Sequence, residues 1–146
     1  MKAPLPSDEN DRLAALYALN VLDSPPEKDF DDIVALAASV CGVPMSLVTL
    51  IDADRQWFKA ATGTDLTETP RDLSLCAHAI LGRDLMVVPD ARRDTRFADN
   101  PAVTGDPGIR FYAGAPLITT DGYALGTLCV VDSKPRRLKV EQLQAL

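Results

Sequence analysis

The sequence predicts an α+β fold in which helices pack outside an antiparallel sheet. Apolar residues recur at helical spacing over 30–40, and the run MSLVTLI at 45–51 is apolar on both alternating faces, as in a covered central strand. Two further runs, FYAGAPLITT at 111–120 and YALGTLCVV at 123–131, flank an Asp-Gly dipeptide that favours a hairpin. Strands that follow one another directly along the chain favour antiparallel pairing, with the helices as an outer layer.

The N-terminal segment is predicted to be a flexible leader followed by a helix. Residues 1–7 carry two prolines, and Asp8 can cap a helix directly after them. The helix is expected to end by Asp23. It is expected to pack through one stripe of apolar residues, namely Leu13, Leu16 and Tyr17.

A second helix is predicted from the segment SPPE. Ser24 fits the cap, Pro25 fits the first turn, and Glu27 fits the position that completes a capping box. Gly42, followed by Pro44, is the expected stop. The apolar stripe of this helix is expected to cover the sheet.

The middle of the chain is predicted to hold two more strands and a short helix between them. Residues 56–60 are predicted to be a returning strand, so that Trp57 and Phe58 point to opposite faces. A short helix is expected over 73–80, and a third strand over 85–88.

The second half of the chain is predicted to hold a long loop, the hairpin and the start of a helix. Residues 89–109 are expected to be irregular, and loops of that length are usually functional or disordered. Asp121-Gly122 predicts a type I′ turn. An outgoing helix is predicted to start within 138–146, where apolar residues lie three apart at Val140, Leu143 and Leu146. Residues 8–146 are predicted to form a single domain.

Composition and charge indicate a folded domain and argue against several partners. The chain has 146 residues, of which 47% are hydrophobic and 25% charged, as expected for one globular domain. Its formal net charge of -6 repels phosphate backbones and anionic lipids, so no nucleic acid or membrane partner is expected. The N-terminus is polar and no apolar run approaches the roughly 20 residues of a membrane span, which predicts a cytoplasmic location.

Five segments of the chain carry a family resemblance. They are LDSPPEKDFDDI, IDADRQWFKA, ETPRDLSLCAHAI, VVPDARRDTRFADNP and IRFYAGAPLITTDGYALGTLCVVDSKPRRL. Together they resemble the GAF domains found N-terminally in bacterial sensor histidine kinases and diguanylate cyclases. The resemblance implies a GAF-like, PAS-related six-stranded antiparallel sheet, with the terminal helices packed on one face and a small-molecule pocket under loops on the other. It also implies a homodimer formed through the terminal helices.

The resemblance implies a sensory or regulatory domain of bacterial signal transduction, as in two-component systems. Such a domain binds a small molecule or dimerises, and relays its state to an output domain. The domain itself is not expected to be an enzyme, because the chain lacks a Gly-rich phosphate loop, a nucleophile elbow, an HExxH motif and paired catalytic carboxylates. Two alternatives stay open: an enzyme similar to free methionine-R-sulfoxide reductase, and a ligand-free dimerisation spacer.

Seven side chains are candidates for contact with a small-molecule ligand. A guanidinium at position 110 can grip a carboxylate or phosphate with two hydrogen bonds, although Asp90 could equally neutralise it. Aromatic residues can form flat apolar walls with a polar edge. The candidates are Trp57, Cys76, His78, Asp90, Phe97, Arg110 and Tyr112. No catalytic residue is predicted.

The cysteines and the single histidine are not expected to work together. Cys76 and His78 lie about 200° apart on a helix, so they cannot share a metal or a proton. Cys41 and Cys129 are far from Cys76 in sequence and are not expected to cluster with it, so reduced thiols are predicted. Ala77 separates Cys76 from His78, whereas in bilin-binding GAF proteins histidine follows the attachment cysteine at once.

No cofactor is identified from the sequence. GAF domains that bind cyclic nucleotides carry an Asn-Lys, Phe, Asp-Glu signature, and this chain has no Asn-Lys dipeptide. Bilin, haem and metal are not supported either. The expected ligand is therefore an unknown small molecule.

Overall fold

Six antiparallel strands form a single sheet in this computed structural model, which describes residues 2–105 and 107–146. The strands are Met45–Ile51 (β1), Arg55–Thr62 (β2), Glu68–Pro70 (β3), Met86–Val88 (β4), Phe111–Ile118 (β5) and Ala124–Asp132 (β6). The α-helices are Glu9–Ala18 (α1), Lys28–Cys41 (α2), Cys76–Ala79 (α3), Pro101–Thr104 (α4) and Val140–Gln144 (α5). The strand order β3-β2-β1-β6-β5-β4 confirms the predicted α+β, six-stranded antiparallel architecture.

The two faces of the sheet carry different layers. On one face, α1 and α2 pack against the central strands, and Leu146 just beyond α5 joins the same layer. On the other face, α3 and the loop segments cover a second core. The terminal helices therefore lie on one face, as predicted. The second core includes Leu47, Ile51, Leu75, Cys76, Phe97, Tyr112, Cys129 and Val131.

Strand β1 forms part of both cores. Leu47 and Ile51 point into the core under the loops, whereas Val48 and Leu50 point towards the helices. This alternation follows from the two-residue period of a strand, and a run that is apolar at every position can satisfy both faces. The predicted bounds of this strand, 45–51, are confirmed.

The first helix starts as predicted but packs differently. Asp8 occupies the N-cap position, although its side chain makes no capping hydrogen bond. Leu16 is fully buried, whereas Tyr17, expected on the same stripe, is 48% exposed. The other fully buried residue of α1 is Arg12, which the apolar pattern missed. The prediction of a flexible leader over 1–7 stays a prediction.

The prediction that the segment SPPE starts the second helix is wrong. The helix starts at Lys28, and Glu27 precedes it with extended backbone angles. Ser24 and Pro25 instead accept hydrogen bonds from the Lys59 ammonium, at 2.7 Å to the Ser24 hydroxyl and 2.8 Å to the Pro25 carbonyl. Glu27 pairs with the same ammonium at 2.5 Å. The segment thus anchors a buried lysine of β2, a long-range contact that local capping rules do not include.

Of the two turn predictions, one is confirmed and one is corrected. Gly42 ends α2 in the left-handed conformation, with φ of 64°. The hairpin turn is wider than the predicted type I′: the Thr119 carbonyl accepts from Gly122 N–H at 2.9 Å, and Thr119 N–H donates to the Tyr123 carbonyl. Gly122 has a positive φ of 93° but Asp121 does not, and a type I′ turn requires both.

The segments between the second strand and the hairpin differ from the prediction in both directions. Of the helix expected over 73–80, only α3 is α-helical, after a 3-10 turn at Arg71–Leu73. The segment 89–109, expected to be irregular, holds a 3-10 turn at Ala91–Arg93 and helix α4, which the Asn100 side chain caps. The short strand β3 pairs with β2 and was not predicted from the residue pattern.

None of the described helices combines the length and the apolar character that a membrane crossing requires.

Candidate ligand cavity

A cavity of about 510 Å³ lies between the sheet and the loops on the face away from the terminal helices. Strands β1, β2, β5 and β6 form its floor, and the segments around α3 and α4 form its sides. Its volume falls in the range of small-molecule sites, about 300–1,000 Å³. The lining includes Met45, Leu47, Gln56, Phe58, Leu66, Thr69, Leu73, Leu75, Cys76, Ala102, Ile109, Tyr112, Cys129 and Val131.

The cavity is neutral and mostly apolar. Among the described residues that line it, none carries a formal charge. Its polar side chains are already used: Gln56 donates to the Thr69 hydroxyl at 3.0 Å and accepts from the Ser74 hydroxyl at 2.6 Å. No buried side-chain nitrogen or oxygen in the described part of the chain lacks a hydrogen-bond partner. A charged ligand would therefore lose its hydration here without gaining a partner.

A cluster of sulfur and hydroxyl groups forms one wall of the cavity. The Tyr112 hydroxyl donates to Cys76 Sγ at 3.0 Å, and the Thr127 hydroxyl donates to the same sulfur at 3.1 Å. Cys129 Sγ lies 3.9 Å from Cys76 Sγ. The Tyr112 ring lies across Gly114, where a Cβ atom would come within 2.1 Å of the tyrosine oxygen. Glycine at that position therefore lets the hydroxyl reach the sulfur.

The two thiols have different acidities. Burial raises the pKa of Cys76, but hydrogen bonds from Cys129, Thr127 and Tyr112 to its sulfur favour the thiolate and lower the pKa below its ordinary value of 9.0. The hydrogen bond with Cys76 and burial both raise the pKa of Cys129. Burial also raises the pKa of Tyr112, so its hydroxyl keeps its proton. Of the two thiols, Cys76 is therefore the one whose surroundings favour the thiolate.

The expectation that the cysteines lie apart is wrong for this pair. Cys76 and Cys129 are 53 residues apart in sequence, yet their sulfurs are in contact across the cavity wall. Cys41 does lie elsewhere, at the end of α2 on the helix face. All three cysteines are free thiols and buried. In the described part of the chain, no group of three His, Cys, Asp or Glu side chains could hold a metal ion.

Two of the seven predicted site residues, Cys76 and Tyr112, line the cavity. Trp57 lies on the opposite face of the sheet, buried against Leu16 of α1. His78 and Phe97 meet edge to face with ring centroids 4.8 Å apart. The structure thus brings Cys76 and Tyr112 together and places Trp57 away from them.

The two charged candidates are held by protein groups outside the cavity. Arg110 donates to the carbonyls of Val103 and Ile109, at 2.6 and 3.1 Å, and so fastens α4 to the start of β5. Asp90 accepts from the Arg92 guanidinium at 3.0 and 2.9 Å. That carboxylate lies on a separate open surface groove. Hydrogen bonds from Arg92 lower the pKa of Asp90.

Sequence reasoning missed Cys129, which lines the cavity, and two residues of the cluster behind that wall, Thr127 and Gly114. The hairpin register provides a signal for two of them, since Gly114 pairs with Cys129 and lies two residues from Tyr112 on the same face. The approach of α3 to this strand carries no local signal. The cluster therefore emerges only from the tertiary structure.

Comparison with known proteins identifies the family. The model of the GAF domain family matches residues 25–146. The chain belongs to the GAF family. This GAF domain is 48% identical over 133 residues to the cyclic di-GMP phosphodiesterase PA2567 of Pseudomonas aeruginosa, a match that covers 91% of the chain and 23% of that protein. The chain thus spans about a quarter of the length of that relative.

Solved GAF domains share the fold at low sequence identity. The GAF domain of a phosphoenolpyruvate-protein phosphotransferase from Coxiella burnetii superposes with a TM-score of 0.66 and 14% identity, over 93% of this chain and 84% of that one. The corresponding domain from Acinetobacter gives a TM-score of 0.63 and 17% identity, with the same coverage. Likeness at this level supports the architecture alone.

Proposed function

We propose that this GAF domain is a regulatory module that binds a neutral, largely apolar small molecule in the cavity under the loops. The observation that carries the proposal is the cavity itself, of about 510 Å³, with no charged residue among its described lining. Apolar pockets with a few placed polar groups are the usual small-molecule sites of proteins. The polar edge here is the Tyr112 and Cys76 pair.

The same chemistry disfavours the alternative functions. A free amino acid such as methionine sulfoxide carries an ammonium and a carboxylate, and a nucleotide carries phosphates, so either needs buried charges of opposite sign. A ligand-free spacer does not require a cavity of this size, and protein interiors normally pack without voids. A neutral ligand is consistent with both the size of the cavity and its lack of charged lining residues.

A neutral fluorescent probe, N-phenyl-1-naphthylamine, tests the cavity directly. Titration of the purified chain is expected to raise the probe's emission with saturation. Ala102→Phe puts a ring into the cavity and is expected to weaken binding at least about tenfold. Ala35→Phe makes the same change on the exposed side of α2, across the sheet, and is expected to leave binding unchanged. Absent saturation, or equal affinity in both variants, would contradict the proposal.

The regulated output is proposed from the relative. Because the matched protein is named a cyclic di-GMP phosphodiesterase and is much longer than this chain, we infer that the domain regulates an output domain in cyclic di-GMP signalling in the cytoplasm. The domain then works without catalysis of its own. Ligand binding would act by favouring one of two conformations.

A homodimer through the helical face is part of the proposal. Helix α2 exposes a stripe of Ile33, Leu36 and Val40, which are 43, 65 and 40% exposed. These positions follow helical spacing and lie on one side of the helix. Helix α5 lies beside the stripe, since the Gln142 amide donates to the Val40 carbonyl at 3.0 Å. A second copy would cover this apolar surface next to the helix that leaves the domain.

A further inference from the structure

Two thiols to which the proposed function assigns no reaction lie together in the cavity wall. Cys76 is 2% exposed and Cys129 is fully buried, so the small exposed area of the pair belongs to Cys76. Both line the cavity, and their sulfurs are 3.9 Å apart. A molecule inside the cavity is therefore in a position to react with Cys76, whose sulfur is in contact with that of Cys129.

We propose that Cys76 and Cys129 form an oxidant-sensing pair that closes to a disulfide when a neutral organic hydroperoxide enters the cavity. The proposal rests on the proposed function, because the oxidant uses the same cavity. It adds a chemical class for the ligand and a covalent consequence of binding.

The structure assigns different roles to the two sulfurs. Cys76 Sγ receives hydrogen bonds from the hydroxyls of Tyr112 and Thr127, which favour its thiolate, the reactive form of cysteine. The lowered pKa of Cys76 and the raised pKa of Cys129 agree with this assignment. Cys76 is the attacking thiolate, and Cys129 is the thiol that resolves the intermediate.

The cavity selects the class of oxidant. Apart from the Cys76 thiolate itself, its walls are uncharged and its buried polar groups are already paired, so an anionic oxidant finds no counter-charge on entry. An organic hydroperoxide joins an apolar body, which the cavity can hold, to a weak O–O bond that a thiolate can break. Hydrogen peroxide has the same bond but no apolar body to bury.

The reaction balances with no other reactant. The Cys76 thiolate attacks the terminal oxygen of the hydroperoxide, so that an S–O bond forms and the O–O bond breaks. The alkoxide takes the proton that Cys76 lost and leaves as an alcohol, and Cys76 becomes a sulfenic acid. The Cys129 thiol then attacks Cys76 Sγ: an S–S bond forms, the S–O bond breaks, and the hydroxyl leaves as water with the Cys129 proton. The peroxide gains two electrons and the thiols lose two.

Disulfide formation changes the cavity wall. The two sulfurs must close from 3.9 Å to about 2.0 Å, the length of an S–S bond. Cys129 lies in the interior of β6, paired on both sides, whereas Cys76 lies on the four-residue helix α3. Helix α3 is therefore the element that moves towards the sheet.

Mass spectrometry tests the proposal on the purified, reduced chain under argon. Cumene hydroperoxide or hydrogen peroxide is added, and samples are quenched with N-ethylmaleimide in denaturant. Trypsin separates the three cysteines into peptides 29–55, 72–83 and 111–136. We expect a cross-link between 72–83 and 111–136, with 29–55 alkylated. Cumene hydroperoxide is expected to react at least about tenfold faster than hydrogen peroxide; equal rates, or a cross-link that includes 29–55, would overturn the proposal.

Variants assign the order of attack. Cys129→Ala is expected to stop at a sulfenic acid on Cys76, which dimedone traps in peptide 72–83. Cys76→Ala is expected to leave Cys129 unmodified, and the matched control Cys41→Ala is expected to react as the unaltered chain does. Melting temperatures confirm that each variant is folded. Trapping of Cys129 in the Cys76→Ala variant at the original rate would overturn the assigned roles.

The cavity variant separates failure of this inference from failure of the proposed function. Ala102→Phe is expected to slow the cumene hydroperoxide reaction and to bring it near the rate of hydrogen peroxide. If the naphthylamine probe binds but cumene hydroperoxide yields no disulfide, the redox inference is wrong and ligand binding stands. If Ala102→Phe changes neither the affinity for the probe nor the rate with cumene hydroperoxide, the redox inference and the proposed ligand binding are both wrong.

Discussion

Replacing Glu9 by glutamine tests how α1 is fixed to the domain. The Glu9 carboxylate accepts from Arg12 at 3.0 Å on each oxygen, and from Arg71 at 2.5 and 3.2 Å. The arginine side chains are only 1% and 7% exposed, so one carboxylate serves two buried cations. Glutamine keeps the shape of the side chain and removes its charge. The variant therefore leaves two guanidinium groups without a counter-charge.

The magnitude follows from the acidity of Glu9. Partial burial raises its pKa, but hydrogen bonds and charges from Arg12 and Arg71 outweigh this and lower the pKa from 4.5 to about 2. A difference of that size corresponds to about 3 kcal/mol of unfolding free energy. Loss of one member of a buried ion pair costs about 3–5 kcal/mol in general. Because the folded-state pKa lies below the unfolded one, this stability is full above about pH 4.5 and is lost as the pH falls towards about 2.

Urea unfolding checks this value at two acidities. Glu9→Gln is expected to lower the free energy of unfolding by about 3 kcal/mol at about pH 7. The loss is expected to be less than half as large at about pH 3, because the Glu9 carboxylate of the unfolded chain is protonated there while that of the folded chain is still mostly ionised. Asp32→Asn removes the carboxylate of an exposed i,i+4 pair with Lys28 and is expected to cost at most about 0.5 kcal/mol. A loss below about 1 kcal/mol at about pH 7, or an equal loss at both acidities, would refute the reasoning.

Two further substitutions test the sheet and the helical face. Gly126→Ala places a Cβ atom 1.8 Å from the Thr49 carbonyl oxygen and is expected to destabilise the domain by at least about 2 kcal/mol in urea unfolding. At the control position, Gly82, a Cβ atom meets nothing within 4 Å, so Gly82→Ala is expected to change the free energy of unfolding by no more than about 0.5 kcal/mol. Similar losses at both glycines would contradict the close approach of these strands. Leu36→Asp is expected to convert a dimer to a monomer in light scattering, while Leu81→Asp, on an exposed apolar side chain outside α2, leaves the dimer intact. A native chain that is monomeric at all concentrations would count against the helical interface.

The sheet was predictable because its signals are local. The apolar run at 45–51 and the two runs around Asp121-Gly122 each carry the strand pattern within a few residues. The hairpin turn is wider than predicted, but the difference is confined to the end of the hairpin. Gly114 and Cys129 are paired in the same register that the predicted two-residue turn gives. Strand β3 has three residues, too few for a periodic pattern, and only the family resemblance implied a sixth strand.

The parts that failed depend on contacts between distant segments. Ser24 carries a strong helix-capping signal, but the buried ammonium of Lys59, which lies 35 residues away, uses its hydroxyl instead. Arg12 was not expected inside the core, because its burial depends on Glu9 and on Arg71. The approach of Cys76 to Cys129 spans 53 residues and follows from how α3 sits on the sheet. No spacing rule within one element contains that information.

Strand β1 has a consequence for how the domain can evolve. Its Leu47 touches the cavity, and its neighbour Val48 touches α2, so adjacent residues of one strand face the cavity and the helices. A ligand that displaces this strand moves the helix layer directly, without a chain of relay residues between them. Under the proposed function, a substitution at Leu47 that changes which ligand binds therefore also acts on the backbone of β1, which positions α2. Under the proposed function, ligand recognition and its effect on the helix layer are therefore inherited together.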